Sequence, residues 1–269
     1  MIPYSFTYRR AGSIADAEQL FADSGDAKFL AGGQTLIPTM KQRLASPAEL
    51  IDISEIAELS FVRADAESLA IGAGTKHAAV ANSGQVRRLI PALAELAETI
   101  GDPAVRHMGT LGGSLANNDP AADYPAATLA LGASIRTTRR VIEADNFFIG
   151  MFSTALEDGE IIIDVTFPVA ELAGYAKFPN PASRYALAGV FVARTKSGVR
   201  VAVTGAGPSV FRLPEMESAL ERDFSPDALT GKSVPSADLN SDIHATAEYR
   251  AHLVAVMARR AVAAALDRH

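Results

Sequence analysis

Two glycine-rich segments hold the residues of this 269-residue chain whose types and spacing could do chemistry: A-G-G-Q-T-L-I-P at 31–38 and G-T-L-G-G-S-L-A-N-N-D-P-A-A-D-Y-P-A at 109–126. Adjacent glycines permit positive φ and leave no Cβ between the backbone amides and a ligand. Gln34 and Thr35 add side-chain donors to the first segment; Thr110, Ser114, Asn117 and Asn118 add them to the second, which contains no Lys or Arg. That donor set suits a diphosphate held by neutral N–H and O–H groups. Asp123 would repel phosphate, so a cofactor contact from it falls on hydroxyls of a ribityl or ribose chain. Followed by Tyr124-Pro125, it also reads as a helix N-cap. Alone, the first segment is equally a plain strand–turn–helix connection. Two such segments about 75 residues apart point to one extended ligand spanning both.

The elements that must position these segments follow from periodicity. Strands are expected at 28–31, 49–53, 68–71, 133–137, 161–167, 187–193 and 199–203, and a short helical turn at 54–59. Helices are expected at 36–44, with Pro38 early where its missing N–H is harmless, at 85–100, at 124–131 and at about 246–266. In the last, Tyr249, Leu253, Val256, Met257 and Ala264 form the inward stripe, with Arg250, Arg259 and Arg260 outside it. Residues 224–242 read as a polar, Pro-rich surface loop. Strands and helices are interspersed without clean βα alternation, which predicts an α+β fold. A break is expected near 168–174, where a strand ends in Pro and the pattern restarts.

Composition narrows the chemistry. Apolar residues at 48% and charged residues at 21% are ordinary for a chain with a sizeable core. The sequence contains no cysteine, so it offers no thiolate nucleophile, disulfide, or Cys-ligated zinc or iron–sulfur cluster. A net charge of −6 argues against nucleic-acid binding. No apolar run reaches membrane-span length and the N-terminus lacks a signal-peptide core, so a soluble, cytoplasmic protein is expected. Gly231-Lys232-Ser233 resembles the end of a P-loop, but the glycine required five positions earlier is Pro226. Gly72-Ala73-Gly74 opens a dinucleotide fingerprint whose third glycine would fall at His77. The histidines, 77, 107, 244, 252 and 269, show no zincin spacing, and there is no G-x-S-x-G elbow.

The paired segments, A-G-G-Q-T-L-I-P-T-M-K-Q-R and then R-x-x-G-T-L-G-G-S-L-A-x-x-D-P-A-A-D-x-P-A, resemble the FAD-binding medium subunit of the molybdenum hydroxylases, the family of xanthine dehydrogenase and aerobic carbon monoxide dehydrogenase. I-G-A-G-T-K-H-A-A-V, Y-A-K-F-P-N-P-A-S-R-Y-A-L-A-G-V and D-I-H-A-T-A-E-Y-R-A-H-L extend the resemblance over nearly the whole chain. It implies an FAD-binding domain of the vanillyl-alcohol-oxidase (PCMH) type at 1–171, with subdomains about 1–57 and 58–171, and a smaller α+β C-terminal domain at 172–269. It implies that Ala31, Gly32, Gly33, Gln34, Thr35, Leu36 and Ile37 form the first FAD loop, and that Thr110, Gly112, Gly113 and Ser114 form the pyrophosphate loop. Asp123 corresponds to an acid that contacts FAD, Lys177 to a lysine near the flavin ring, and Tyr185 to an aromatic shielding one flavin face. A cation at Lys177 would stabilise the charge of a reduced flavin; an ordinary solvated lysine and a core tyrosine are the structural readings of Lys177 and Tyr185. Tyr249 and Arg250 are expected to do packing work, and the sequence leaves open whether His107 reaches the phosphates.

The same resemblance implies partners. Substrate is oxidised at a molybdenum–pterin centre in a large subunit, electrons pass through iron–sulfur clusters in a small subunit, and FAD delivers them to an external acceptor, in a dimer of heterotrimers. Lacking cysteine, this chain must leave the clusters to a separate polypeptide, and the branch whose flavoprotein carries its own cluster, 4-hydroxybenzoyl-CoA reductase, is excluded. The alternatives are a stand-alone FAD oxidoreductase of the vanillyl-alcohol-oxidase type and a cofactor-free assembly module. The M-K-Q-R-L-A-S-P run leans toward carbon monoxide dehydrogenase medium subunits.

Overall fold

Three hydrophobic cores organise the chain in a computed structural model that describes residues 2–267; His269 lies outside the described residues. The first core lies beneath a three-stranded parallel sheet in the order Thr7–Arg10, Glu49–Asp52, Ala27–Leu30. Parallel pairing needs crossovers: the Ile14–Ala22 helix joins the two edge strands, its first turn capped by Ser13 accepting from the Asp16 amide, and the Leu36–Lys41 helix joins Ala27–Leu30 to its partner Glu49–Asp52. Ala17, Ala27, Ile51, Ile56 and Leu59 close this core with Ile161 and Ile163. The sheet ends at Leu30, where the 31–38 segment begins.

The second core is built on a five-stranded antiparallel sheet: Val62–Ala64, Ser68–Gly72, Ile162–Pro168, Ser134–Thr137 and Val141–Glu143. Helices Pro91–Glu98, Leu111–Asn117 and Tyr124–Ala130 contribute to the same core. The single helix expected at 85–100 is two, Gly84–Leu89 and Pro91–Glu98. Pro91 forces the break: it denies Ile90 a helical backbone (φ −139°, ψ 71°) and then opens the second helix itself.

The third unit is an antiparallel sheet, Leu172–Pro179, Ala186–Thr195, Gly198–Thr204 and Phe211–Arg212, covered by Ala247–Leu266 and Pro214–Arg222. Gly174 lets the long helix lie on the sheet, since a Cβ there would stand 2.9 Å from the Ala265 nitrogen. The stripe of that helix is rotated from the expected one: Arg250 points inward and Tyr249 is exposed, edge-on to Phe178. Arg250 is drawn in by unpaired carbonyls, donating to Leu187 and Gly205 oxygens at 2.8 Å each and to Asp242 at 2.7 Å. In the 224–242 loop, Phe224, Leu229 and Val234 tuck into this core. Tyr175, Phe191, Ala193 and Ala202 face the other way, into the second core. The fold is α+β, and the change of sheet falls between Pro168 and Leu172.

Candidate cofactor-binding site

The two glycine-rich segments meet. Gly32 lies against the Met108 carbonyl and Gly109, so closely that a Cβ on it would stand 2.7 Å from the Gly109 Cα. Gly33, at φ +69°, turns the chain into the Leu36–Lys41 helix. The second segment is less open than its composition suggests, because Leu111–Asn117 is helical, started by Thr110 capping the Gly113 amide at 3.1 Å and ended by left-handed Asn118. Gly112 serves packing: its amide donates to the Ala73 carbonyl at 2.8 Å, and a Cβ would lie 2.5 Å from that of Ala73. Gly113 is exposed and reaches toward the Ala31 Cβ across the junction.

A cleft of about 610 Å3 opens along this junction, within the ~300–1,000 Å3 typical of ligand pockets. Ala31, Gly32, Gly33, Gln34, Thr35 and Leu36 line it from one side, and Thr110, Gly113 and Ser114 from the other. Ile37 and Gly112 stand behind its wall. The amides of Gly32, Gly33, Gln34 and Thr35 donate to no acceptor among the described residues, and neither the Ser114 hydroxyl nor the Asn117 amide group finds a partner there. Such a run of unmet donors, free of side-chain bulk at Gly33 and Gly113, fits an anionic, oxygen-rich group. Lys28 and Arg184 are the cations that line the cleft among the described residues.

A different chemistry occupies the 119–123 turn. Asp123 makes no side-chain cap to its helix. Its carboxylate is instead buried, accepting from the Tyr175 hydroxyl and paired with Lys177 Nζ at 2.9 Å, while one edge lines the cleft. Lys177 is neither solvated nor on the cleft surface: its side chain is 5% exposed and its Nζ also donates to the Thr99 carbonyl at 3.0 Å. Gly189, its cross-strand partner, leaves room for the Tyr175 hydroxyl, which a Cβ would approach to 2.6 Å. Burial pushes the Asp123 carboxyl up, against the pull of Lys177 and Tyr175. Asp119 lines the cleft nearby, also pushed up by burial.

Tyr185 stands at the cleft mouth, 46% exposed, at the base of a turn in which Asn180 Oδ1 accepts the Ala182 and Ser183 amides. It is not a core tyrosine; partial burial and the carboxylates of Asp119 and Asp123 push its phenol up. His107 is exposed and off the cleft. Sequence reasoning missed His77, Ile100, Gly101 and Val105, which also line the cleft. His77 lies in the I-G-A-G-T-K-H-A-A-V run without a role read from it, and no local motif marks the other three; Gly109 packs on His77 and Gly101 on Val105.

The donors, the open glycines and the cleft's size fit a flavin dinucleotide. Comparisons with known proteins agree. Residues 4–170 match the family described as the FAD binding domain in molybdopterin dehydrogenase. The chain is 36% identical to the nicotine 6-hydroxylase medium subunit of Paenarthrobacter nicotinovorans, over 95% of each chain. It is 35% identical to the carbon monoxide dehydrogenase medium chain of Hydrogenophaga pseudoflava, covering 100% of this chain and 99% of that one. Its fold superposes on a chain of reconstituted CO dehydrogenase from Oligotropha carboxidovorans with a TM-score of 0.91, at 34% identity and full coverage of both. No helix among the described residues is long and apolar enough to cross a membrane. The chain is therefore an oxidoreductase subunit with FAD as its cofactor, and it belongs to the family of FAD-binding domains of molybdopterin dehydrogenases.

Proposed function

We propose that this chain is the flavin station of a cytoplasmic molybdenum hydroxylase, working with a separate iron–sulfur small subunit and a molybdenum–pterin large subunit in a dimer of heterotrimers. The observation that carries this reading is the run of unpartnered amides at 32–35 in a chain without cysteine. When bound, FAD takes up electrons singly or in pairs and returns them to an acceptor. The chain's own part is to hold and orient it. The amides of Gly32 to Thr35, with Thr110 and Ser114, hold the diphosphate; Asp123 receives ribityl hydroxyls or the flavin edge; Tyr185 covers the cleft mouth. Lys177 acts through Asp123 as a positioning residue, because its ammonium is spent on that carboxylate and on Thr99.

Division into 1–171, which carries both glycine-rich segments, and 172–269, which supplies Lys177 and Tyr185, follows the change of sheet. Relatives named for nicotine and for carbon monoxide are almost equally similar to this chain. That near-equality supports leaving substrate choice to the large subunit. The reading is tested by adding FAD to flavin-free chain and passing it through gel filtration. One FAD retained per chain is expected; elution of a colourless chain overturns the reading.

A further inference from the structure

Among the described residues, His77 is the one buried polar side chain in the cleft wall that the flavin site described above does not use. Its backbone amide donates to the Gly109 carbonyl at 3.0 Å, and its ring packs on that of Tyr124 at 5.3 Å. Gly109 makes room for the imidazole, since a Cβ there would stand 2.6 Å from Nε2. The side chain is only 5% exposed, and Nδ1 is sealed without a partner. Nε2 also finds no acceptor among the described residues, but it is not sealed, and His77 lines the cleft.

A neutral imidazole carries one proton. Buried N–H groups without an acceptor are the rarest orphans in proteins, so the proton belongs on Nε2 and the sealed Nδ1 keeps a lone pair. Burial and then the nearby Arg106 hold the pKa down at about 4, which keeps the ring neutral at physiological pH. Gly109 touches both His77 and Gly32, and all three line the same cleft, so the imidazole shares a wall with the free amides of the first segment. The carboxylates that line the cleft sit instead on the 119–123 turn.

We propose that His77 is a positioning residue of the cofactor site, its Nε2–H donating to a phosphoryl oxygen of the diphosphate. The proposal rests on the flavin reading above. It adds a neutral donor to a grip built otherwise from amides and hydroxyls, and it gives the unpaired Nε2 a partner.

The test titrates flavin-free wild-type chain, His77→Leu and His77→Gln separately with FAD, ADP and riboflavin. Removing a hydrogen bond to a charged acceptor predicts that His77→Leu raises the Kd for FAD and for ADP by the same factor, about 10- to 100-fold. Riboflavin affinity stays unchanged, and His77→Gln, which restores a neutral donor, recovers most of the loss. His77→Leu melts no lower than wild type, because it removes the sealed Nδ1. An unchanged FAD Kd in a folded His77→Leu chain overturns the proposal, and so does riboflavin weakened as much as FAD. Loss of fold in both variants overturns it as well, since the imidazole would then be structural. A wild-type chain that binds no FAD overturns the flavin reading itself.

Discussion

The Asp123–Lys177 pair makes the sharpest quantitative prediction. Both side chains are 5% exposed, and the ammonium is 2.9 Å from the carboxylate. Lys177→Met keeps most of the volume but leaves Asp123 buried with the Tyr175 hydroxyl as its remaining side-chain partner. Breaking a buried pair from one side costs about 3–5 kcal/mol, a large share of the ~5–15 kcal/mol that holds a domain folded. With a urea slope of about 2–3 kcal/mol/M, the unfolding midpoint should fall by about 1–2 M at pH 7. Asp123→Asn on the Lys177→Met background removes the stranded charge and should recover at least ~2 kcal/mol. The pH dependence carries its own sign. Without Lys177, burial raises the folded-state carboxyl further above its unfolded value, so the folded state holds its proton longer. The variant therefore loses stability relative to wild type as pH rises above ~4, and the gap is narrowest in acid. Urea unfolding of the four proteins of the cycle at pH 4.5 and pH 7 measures all of this. Additive single losses, or a Lys177→Met chain within ~1 kcal/mol of wild type at pH 7, would refute the buried-pair reasoning.

Three further outcomes follow from the geometry. Gly32→Ala drives a Cβ into the Met108 carbonyl and Gly109 and should destabilise by at least the ~1–3 kcal/mol of an overpacked site, while Gly33→Ala loses ~1–2 kcal/mol through its φ of +69°; thermal melts and FAD titration read both, and wild-type values for Gly32→Ala would separate the two segments. Arg250→Met leaves the Leu187 and Gly205 carbonyls unpaired, at about 1–3 kcal/mol each, and should lower the melting temperature with little change in FAD Kd. His77, held at about 4 against an unfolded value near 6.5, is neutral in both states above pH ~6.5 and withdraws up to ~3 kcal/mol of stability as pH falls toward 4, because the unfolded chain takes up the proton first; His77→Leu should flatten that slope in acid unfolding.

Sequence reasoning found the glycine-rich segments because their residue types act locally: a glycine at positive φ and a small polar donor carry their meaning with them. Asp123 was legible as a residue but not in its role. Aspartate before Tyr-Pro is a good cap in any peptide, and only the strand at Leu172–Pro179 brings Tyr175 and Lys177 to divert the carboxylate. The Leu111–Asn117 helix was hidden because its two glycines oppose helix formation; packing on Ala73 and the Thr110 cap hold it. Charge alone places Arg250 outward, whereas the Leu187 and Gly205 carbonyls at the strand ends need a buried donor. His77 lies in a quoted run but has no local sign of its role, since its place in the cleft depends on Gly109, about 30 residues away.

The central claim is that the amides at 32–35, together with the 109–114 segment, hold FAD. Hydrogen exchange of the chain with and without FAD tests it most directly. Slowed exchange on addition of FAD, concentrated in peptides covering 31–36 and 109–114, is the predicted result. FAD bound with those peptides exchanging as fast as before, and protection elsewhere, would contradict it.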